Sequence, residues 1–194
     1  KLAETMPGAG AEERMRLNRM AAAVYMTCQG TLFFLSGEEF ARTKNGMEDS
    51  YNAPIALNRL DWEQAWKNRD LVEYYRGLIA LRLRLPGLCD KSADAAGRIG
   101  NEQKSEGLIS FTVDNQPAGE YNKWDYLKII YNSSRAARSV VVGEGEWEIL
   151  CSGEDSWLWK KHVPAKKGMM IEPRSVLVLG RLAEREERTE KIWA

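Results

Sequence analysis

Between Ala11 and Cys28 the apolar positions Leu17, Met20, Ala21, Val24 and Cys28 recur at helical spacing, and Glu12 and Glu13 sit where a helix N-terminus favours negative charge. The spacing predicts a helix over 11–28, stopped at Gly30. The pattern then changes. Thr31 to Leu35 is apolar without a break and ends at Ser36-Gly37, followed by Glu38 and Glu39. A short, continuous apolar run reads as a strand over 31–36 that is buried on both faces, as parallel strands under helices are. A long polar loop follows over 41–61, with Asn45-Gly46 and Pro54 as turn signals. Loops of that length are more often functional than incidental. A second helix is expected from Trp62 or Asn68 to Leu85, broken near Asn68, with Leu71, Tyr74, Tyr75, Leu78, Leu81 and Leu85 on one side and Pro86-Gly87 as its stop.

Residues 88–106 are small and polar and read as a linker or surface loop. From Gly107 the period becomes strand-like. Runs at 108–113, 126–131, 138–142, 146–151, 156–159, 169–172 and 176–179 are separated by turn residues such as Asn132-Ser133-Ser134 and Gly143-Glu144-Gly145. Short strands at such spacing predict an antiparallel sandwich. The tail over 183–191 is densely charged and reads as a solvated helix or as disordered.

Two stretches carry a resemblance. Gln29-Gly30, Phe33-Phe34, Gly37-Glu38-Glu39-Phe40, Arg42-Thr43-Lys44, Ser50-Tyr51-Asn52, Asn58 and Leu60-Asp61-Trp62 resemble the end of the catalytic barrel of type I pullulanases, the debranching branch of the α-amylase family of glycoside hydrolases. Tyr74 to Arg82 resembles the helix after the last barrel strand of that wider family. The resemblance covers roughly the first half of the chain; the remainder agrees only in its β-rich character. It implies an α/β plus all-β protein. Residues 1–88 would supply the terminal strand–helix portion of a (β/α)8 barrel, and 89–194 an antiparallel β-sandwich. A helix, one parallel strand and a helix cannot close a barrel, and a buried parallel strand needs neighbours on both sides. No such strand precedes position 31, and the chain begins at Lys1 rather than Met, so a piece of a longer enzyme is expected.

Composition narrows the partners. With 28 basic and 28 acidic residues the formal net charge is zero, which gives no reason to expect nucleic acid or an anionic membrane as partner. No apolar run reaches the roughly 20 residues of a membrane-spanning helix. Cys28, Cys89 and Cys151 are too few and too scattered for a disulfide framework or metal knuckle, and His162 has no ligand cluster at zinc spacing. No cofactor is expected. Whether the parent enzyme is cytoplasmic or secreted is not readable.

Glycoside hydrolysis needs two carboxyl groups flanking the bond, about 5–5.5 Å apart in a retaining enzyme. Glu38 and Glu39 are neighbours on a strand end and so point apart. One of them is expected to pair with a barrel cation or cap the loop. By the resemblance, the catalytic carboxylates come from earlier barrel strands, so no catalytic residue is assigned here. The resemblance makes the 41–61 loop a wall of the sugar cleft, with Arg42, Tyr51, Asn58 and Arg59 as substrate-binding candidates. An Asp common in relatives is missing near Ile55, and Arg59 reads equally as a solvated loop arginine. Asp61-Trp62 reads as a cap for the next helix. Trp157 and Trp159, two apart, would share a strand face, either as an exposed sugar platform or as core. The implied partners are an α-glucan, bound through the full-length enzyme, and the remainder of the barrel. The implied reaction is cleavage of α-1,6 bonds in pullulan, amylopectin or limit dextrins. The alternative is a stand-alone carbohydrate-binding or structural accessory domain.

Overall fold

The computed structural model describes residues 2–116 and 122–183. Most of the charged tail, residues 184–194, lies outside the described residues. A short helix α1 (Leu2–Thr5) precedes α2 (Ala11–Met26), which ends two residues before the predicted last helical residue, Cys28. The reason is Thr27, whose hydroxyl donates back to the Ala23 carbonyl at 2.7 Å and sits 2.7 Å from the Tyr131 hydroxyl. A 3-10 turn, Glu38–Phe40, and the short α3 (Ile55–Asn58) interrupt the polar loop. Helix α4 (Trp62–Lys67) is capped by Asp61, whose carboxylate accepts from the backbone of Glu63 and Gln64 at 3.0 and 3.1 Å. The chain breaks at Asn68, as the pattern predicts, and Asn68 donates its side-chain amide to the Phe40 carbonyl at 2.9 Å. Helix α5 (Arg69–Arg82) buries Leu71, Tyr74, Tyr75, Leu78 and Leu81. Pro86 does more than stop a helix: it opens α6 (Pro86–Cys89) from the first-turn position, where its missing N–H costs nothing.

After a 3-10 turn, Ala95–Arg98, come the strands β1 (Ile99–Ser105), β2 (Leu108–Asp114), β3 (Trp124–Asn132), β4 (Arg138–Val141) and β5 (Trp147–Cys151). Helix α7 (Leu158–Lys161) precedes β6 (Val163–Pro164), β7 (Gly168–Ile171) and β8 (Ser175–Leu182). Six strands form one sheet in the order β1-β2-β3-β8-β5-β6, and β4 and β7 pair separately; every pairing is antiparallel. Two expectations fail here. β1 falls in the stretch read as a linker, because its residues are nearly all exposed and so carry no apolar alternation. The strand expected at 156–159 is instead a turn leading into α7.

The centre of the sheet is buried on both faces. On one, Leu127 and Ile129 of β3 and Val176 and Val178 of β8 share a core with Ala22, Ala23 and Met26 of α2 and with the buried face of α5. On the other, Ile130, Leu177 and Leu179 pack with Val140 and Ile171 of the small sheet and with Val142 just beyond it. Strand β8 therefore has no polar face, and its Val-Leu-Val-Leu run carries both cores. The architecture is a mixed α/β region on an antiparallel, sandwich-like β unit, and no barrel closes among the described residues.

The expected strand at 31–36 is the main correction. Residues 31–35 have no regular secondary structure and no strand partner among the described residues. Side-chain burial still alternates. Leu32 and Phe34 pack against the helix–sheet core, while Phe33 is 88% exposed and Leu35 50% exposed. The apolar run has only one covered face.

Gly77 shows how closely α5 meets the sheet side. A Cβ there would lie 1.9 Å from Ser156 Oγ, 2.8 Å from its Cβ and 3.0 Å from its carbonyl oxygen, so rotating the hydroxyl would not relieve the contact. Gly77→Ala should therefore destabilise the chain by roughly 1–3 kcal/mol despite the about 1 kcal/mol that alanine gains in a helix. A urea midpoint equal to or above that of the wild type would show that Ser156 yields freely.

Candidate functional site

The loop after residue 35 is built by its own polar side chains. Gly37 takes φ 101°, and a Cβ there would lie 2.5 Å from Arg42 Cδ. Only glycine combines that backbone with that close approach. Arg42 donates to the Ser36 carbonyl at 3.2 Å and, from its other Nη, to the Asn58 carbonyl. Asn58 in turn donates its side-chain amide to the carbonyls of Ser50, at 2.6 Å, and Ala53, at 3.2 Å. Arg42 and Asn58 thus clamp the two ends of the loop together.

Glu38 and Glu39 serve the same turn. Glu38 accepts from the Leu35 N–H at 3.1 Å and from the Tyr25 hydroxyl at 3.4 Å; Glu39 accepts from the Gly37 N–H at 2.8 Å. These contacts match the capping role read from the sequence. Tyr51 and Arg59 are different. Tyr51 is 83% exposed, Arg59 is also exposed, and neither side chain has a hydrogen-bond partner among the described residues. Of the four candidates, two shape the loop and two present free groups to solvent.

Three features outside the loop escape the sequence reading. Tyr25, Phe34 and Tyr75 form an aromatic cluster, with centroid separations of 6.2 Å (Tyr25–Phe34), 5.9 Å (Phe34–Tyr75) and 6.5 Å (Tyr25–Tyr75). Burial pushes the Tyr75 hydroxyl up to about 12 and raises that of Tyr25 well beyond the usual phenol range. Tyr75 donates to Asn18 Oδ1 at 2.8 Å, which ties α5 to α2. Arg82 is buried, with Nη1 donating to the carbonyls of Met26 (2.7 Å) and Cys28 (2.6 Å) and Nη2 to that of Gly30 (2.8 Å). Gln29 donates to the carbonyls of Gly87 and Ala95 at 3.2 and 2.7 Å. A helix-terminal Arg following an apolar stripe was the available signal for Arg82. Its partners, more than fifty residues away, were not readable.

The tryptophan pair is not an open sugar platform. Trp159 is 7% exposed, the two rings are inclined at 31° with centroids 5.8 Å apart, and Lys160 Nζ lies 4.0 Å from the Trp157 centroid. Neither ring offers a free flat face of the kind a stand-alone sugar-binding module would need.

No family model matches the chain. Individual proteins do. Pullulanase of Bacillus subtilis (strain 168) is 31% identical over 135 residues, covering 69% of this chain and 18% of that protein. A glycogen debranching enzyme of Salmonella typhi is 28% identical over 148 residues, covering 69% of this chain and 21% of the relative. Among solved structures, the pullulanase of Paenibacillus barengoltzii, determined with maltohexaose and α-cyclodextrin, matches with TM-score 0.79 and 31% identity over 94% of this chain and 27% of that one. Type I pullulanase of Bacillus subtilis str. 168, determined with maltose, matches with TM-score 0.82 and 25% identity over 94% and 25%. The chain is homologous to part of the pullulanases and glycogen debranching enzymes. It spans about a fifth of the length of these curated relatives. No helix among the described residues is long and apolar enough to cross a membrane.

Proposed function

We propose that this chain is the C-terminal part of a type I pullulanase-like glycoside hydrolase that cleaves α-1,6-glucosidic bonds in pullulan, amylopectin or limit dextrins. In this reading residues 1–88 complete the catalytic barrel and residues 89–194 form the sandwich beside it. Thr31 to Leu35 is the last barrel strand. The observation that carries the reading is the state of that segment: among the described residues no hydrogen bond reaches the backbone of Thr31 to Phe34, and the Phe33 side chain is bare and that of Leu35 half exposed. Backbone groups and a phenylalanine side chain left without partners call for covering strands, and homology to larger enzymes supplies the candidate. The catalytic carboxylates would stand on those missing strands. Arg42 and Asn58 hold the cleft-wall loop in shape, while Tyr51 and Arg59 offer a ring face and a guanidinium to the glucan.

The test has two arms. The purified 194-residue chain should release no reducing ends from pullulan. Co-expressed with Bacillus subtilis pullulanase lacking its own matching segment, it should associate and restore pullulan cleavage, and Arg59→Ala should then raise KM more than it lowers kcat. Hydrolysis by the chain alone at enzymatic rates, or a stable but inactive complex, would overturn the reading.

A further inference from the structure

Far along the chain from the loop, the end of α5, the start of β3 and α7 enclose a cleft of about 410 Å3, lined by Arg84, Asn122, Lys123, Trp124, Trp159, Lys160 and His162. Its charges are unevenly matched. Lys123 donates to Glu148 at 2.8 Å and to His162 Nδ1 at 2.8 Å, and Glu148 also accepts from the Trp124 indole at 2.9 Å. These contacts hold the Glu148 carboxyl below the usual carboxylate range although burial pushes it the other way. That carboxylate is therefore spent within its own network.

Arg84 and Lys160 have no such partner. Neither side chain makes an ion pair or a hydrogen bond among the described residues, and both lie against the tryptophan pair: Arg84 Cζ is 4.8 Å from the Trp159 centroid, and Lys160 Nζ is 5.2 Å from the same centroid and 4.0 Å from that of Trp157. Trp159 itself is nine-tenths buried, and its Nε1–H has no acceptor. Two like charges gathered on a ring repel each other, and the ring quadrupole offsets this only in part. The cations also occupy the ring surface, so a neutral sugar would have to displace them in order to stack. An anion that contacted both would offset that repulsion.

We propose that this cleft is a second binding site, for a small multiply charged oxyanion of the phosphate-monoester class. Its volume lies at the small end of ligand pockets and suits a sugar monophosphate rather than a polymer. The two cations supply charge-assisted hydrogen bonds. The site lies outside the cleft-wall loop, and the proposal stands whether or not the chain belongs to a debranching enzyme.

Calorimetric titration of the whole chain at fixed ionic strength tests it, with glucose 6-phosphate, inorganic phosphate and glucose as probes. Glucose 6-phosphate should bind with a Kd of roughly millimolar or below, and glucose should not bind. Inorganic phosphate binding as tightly as the ester would assign the site to free phosphate; weaker binding would assign it to the esterified form. Arg84→Gln and Lys160→Met keep the apolar stems over Trp159, and each should weaken binding at least roughly tenfold, the loss of about one charge-assisted hydrogen bond. Circular dichroism should confirm that both variants are folded, as expected for exposed side chains. Absence of heat with both phosphates, equal binding of glucose, or wild-type affinity in the folded variants would each overturn the proposal.

Discussion

Replacing Arg82 by Met should cost the chain about 3–5 kcal/mol, because three carbonyls lose a charged donor at about 1–3 kcal/mol for each buried group left unsatisfied. The side chain is buried and donates to three carbonyls, those of Met26, Cys28 and Gly30. Met26 ends α2, where the last carbonyls have no intrahelical donor and carry the negative end of the helix dipole. Methionine keeps much of the volume but supplies no donor, so three oxygens would be left without their partner. A loss of that size is a large part of the ordinary 5–15 kcal/mol stability of a domain. Urea unfolding would show it as a lower midpoint with little change in slope. Arg82→Lys should recover only part, because an ammonium cannot span three carbonyls as a planar fork does. A loss below about 1 kcal/mol in Arg82→Met would mean that solvent reaches these carbonyls and that the latch is not structural.

Alkaline pH should unfold the chain cooperatively. Burial pushes the hydroxyls of Tyr75 and Tyr131 and the thiol of Cys151 up to about 12 in each case, and raises Tyr74 well above the usual phenol range. Tyr74 donates to the Ser152 carbonyl at 2.7 Å, and Tyr131 is paired with Thr27 at 2.7 Å. The native state thus favours the protonated forms, whereas in the unfolded chain thiols ionise near 8.5 and phenols near 10. Stability is full below those unfolded values and falls as pH rises toward about 12, because the unfolded chain gives up its protons first. For Tyr75 alone the rise to about 12 corresponds to roughly 3 kcal/mol, and several groups act together. Phenolate absorbance should therefore rise in step with loss of circular dichroism between pH about 10 and about 12. Tyrosines that titrate fully near pH 10 while the far-ultraviolet signal stays native would show that these hydroxyls are open to solvent.

The candidate site was half legible. That one of Glu38 and Glu39 would cap the loop or pair with a cation was readable; hydrogen bonds to Leu35 and Gly37 make both of them turn caps. Arg42 and Asn58, named as substrate-binding candidates, close the loop on itself through bonds the sequence did not show. An arginine on a polar loop looks the same in sequence whether it faces a ligand or a neighbouring carbonyl. Trp157 and Trp159 illustrate a related limit. Their spacing put them on one face of a strand, but the chain turns into α7 there, and their surroundings depend on α5 and on Lys160.

By itself the sequence determined the two helical stripes, the break at Asn68, the capping by Asp61 and most strands of the antiparallel part. Each of these follows from local periodicity or from side chains bonding to backbone a few residues away. It also determined that Thr31 to Leu35 is too apolar for an ordinary loop. Only the tertiary structure decided that this run has one covered face and one bare face, that β1 is a strand, and that Arg82 latches the end of α2 from a distant helix. Those outcomes depend on which surfaces meet across long stretches of chain, and no local pattern encodes a partner that lies fifty residues away.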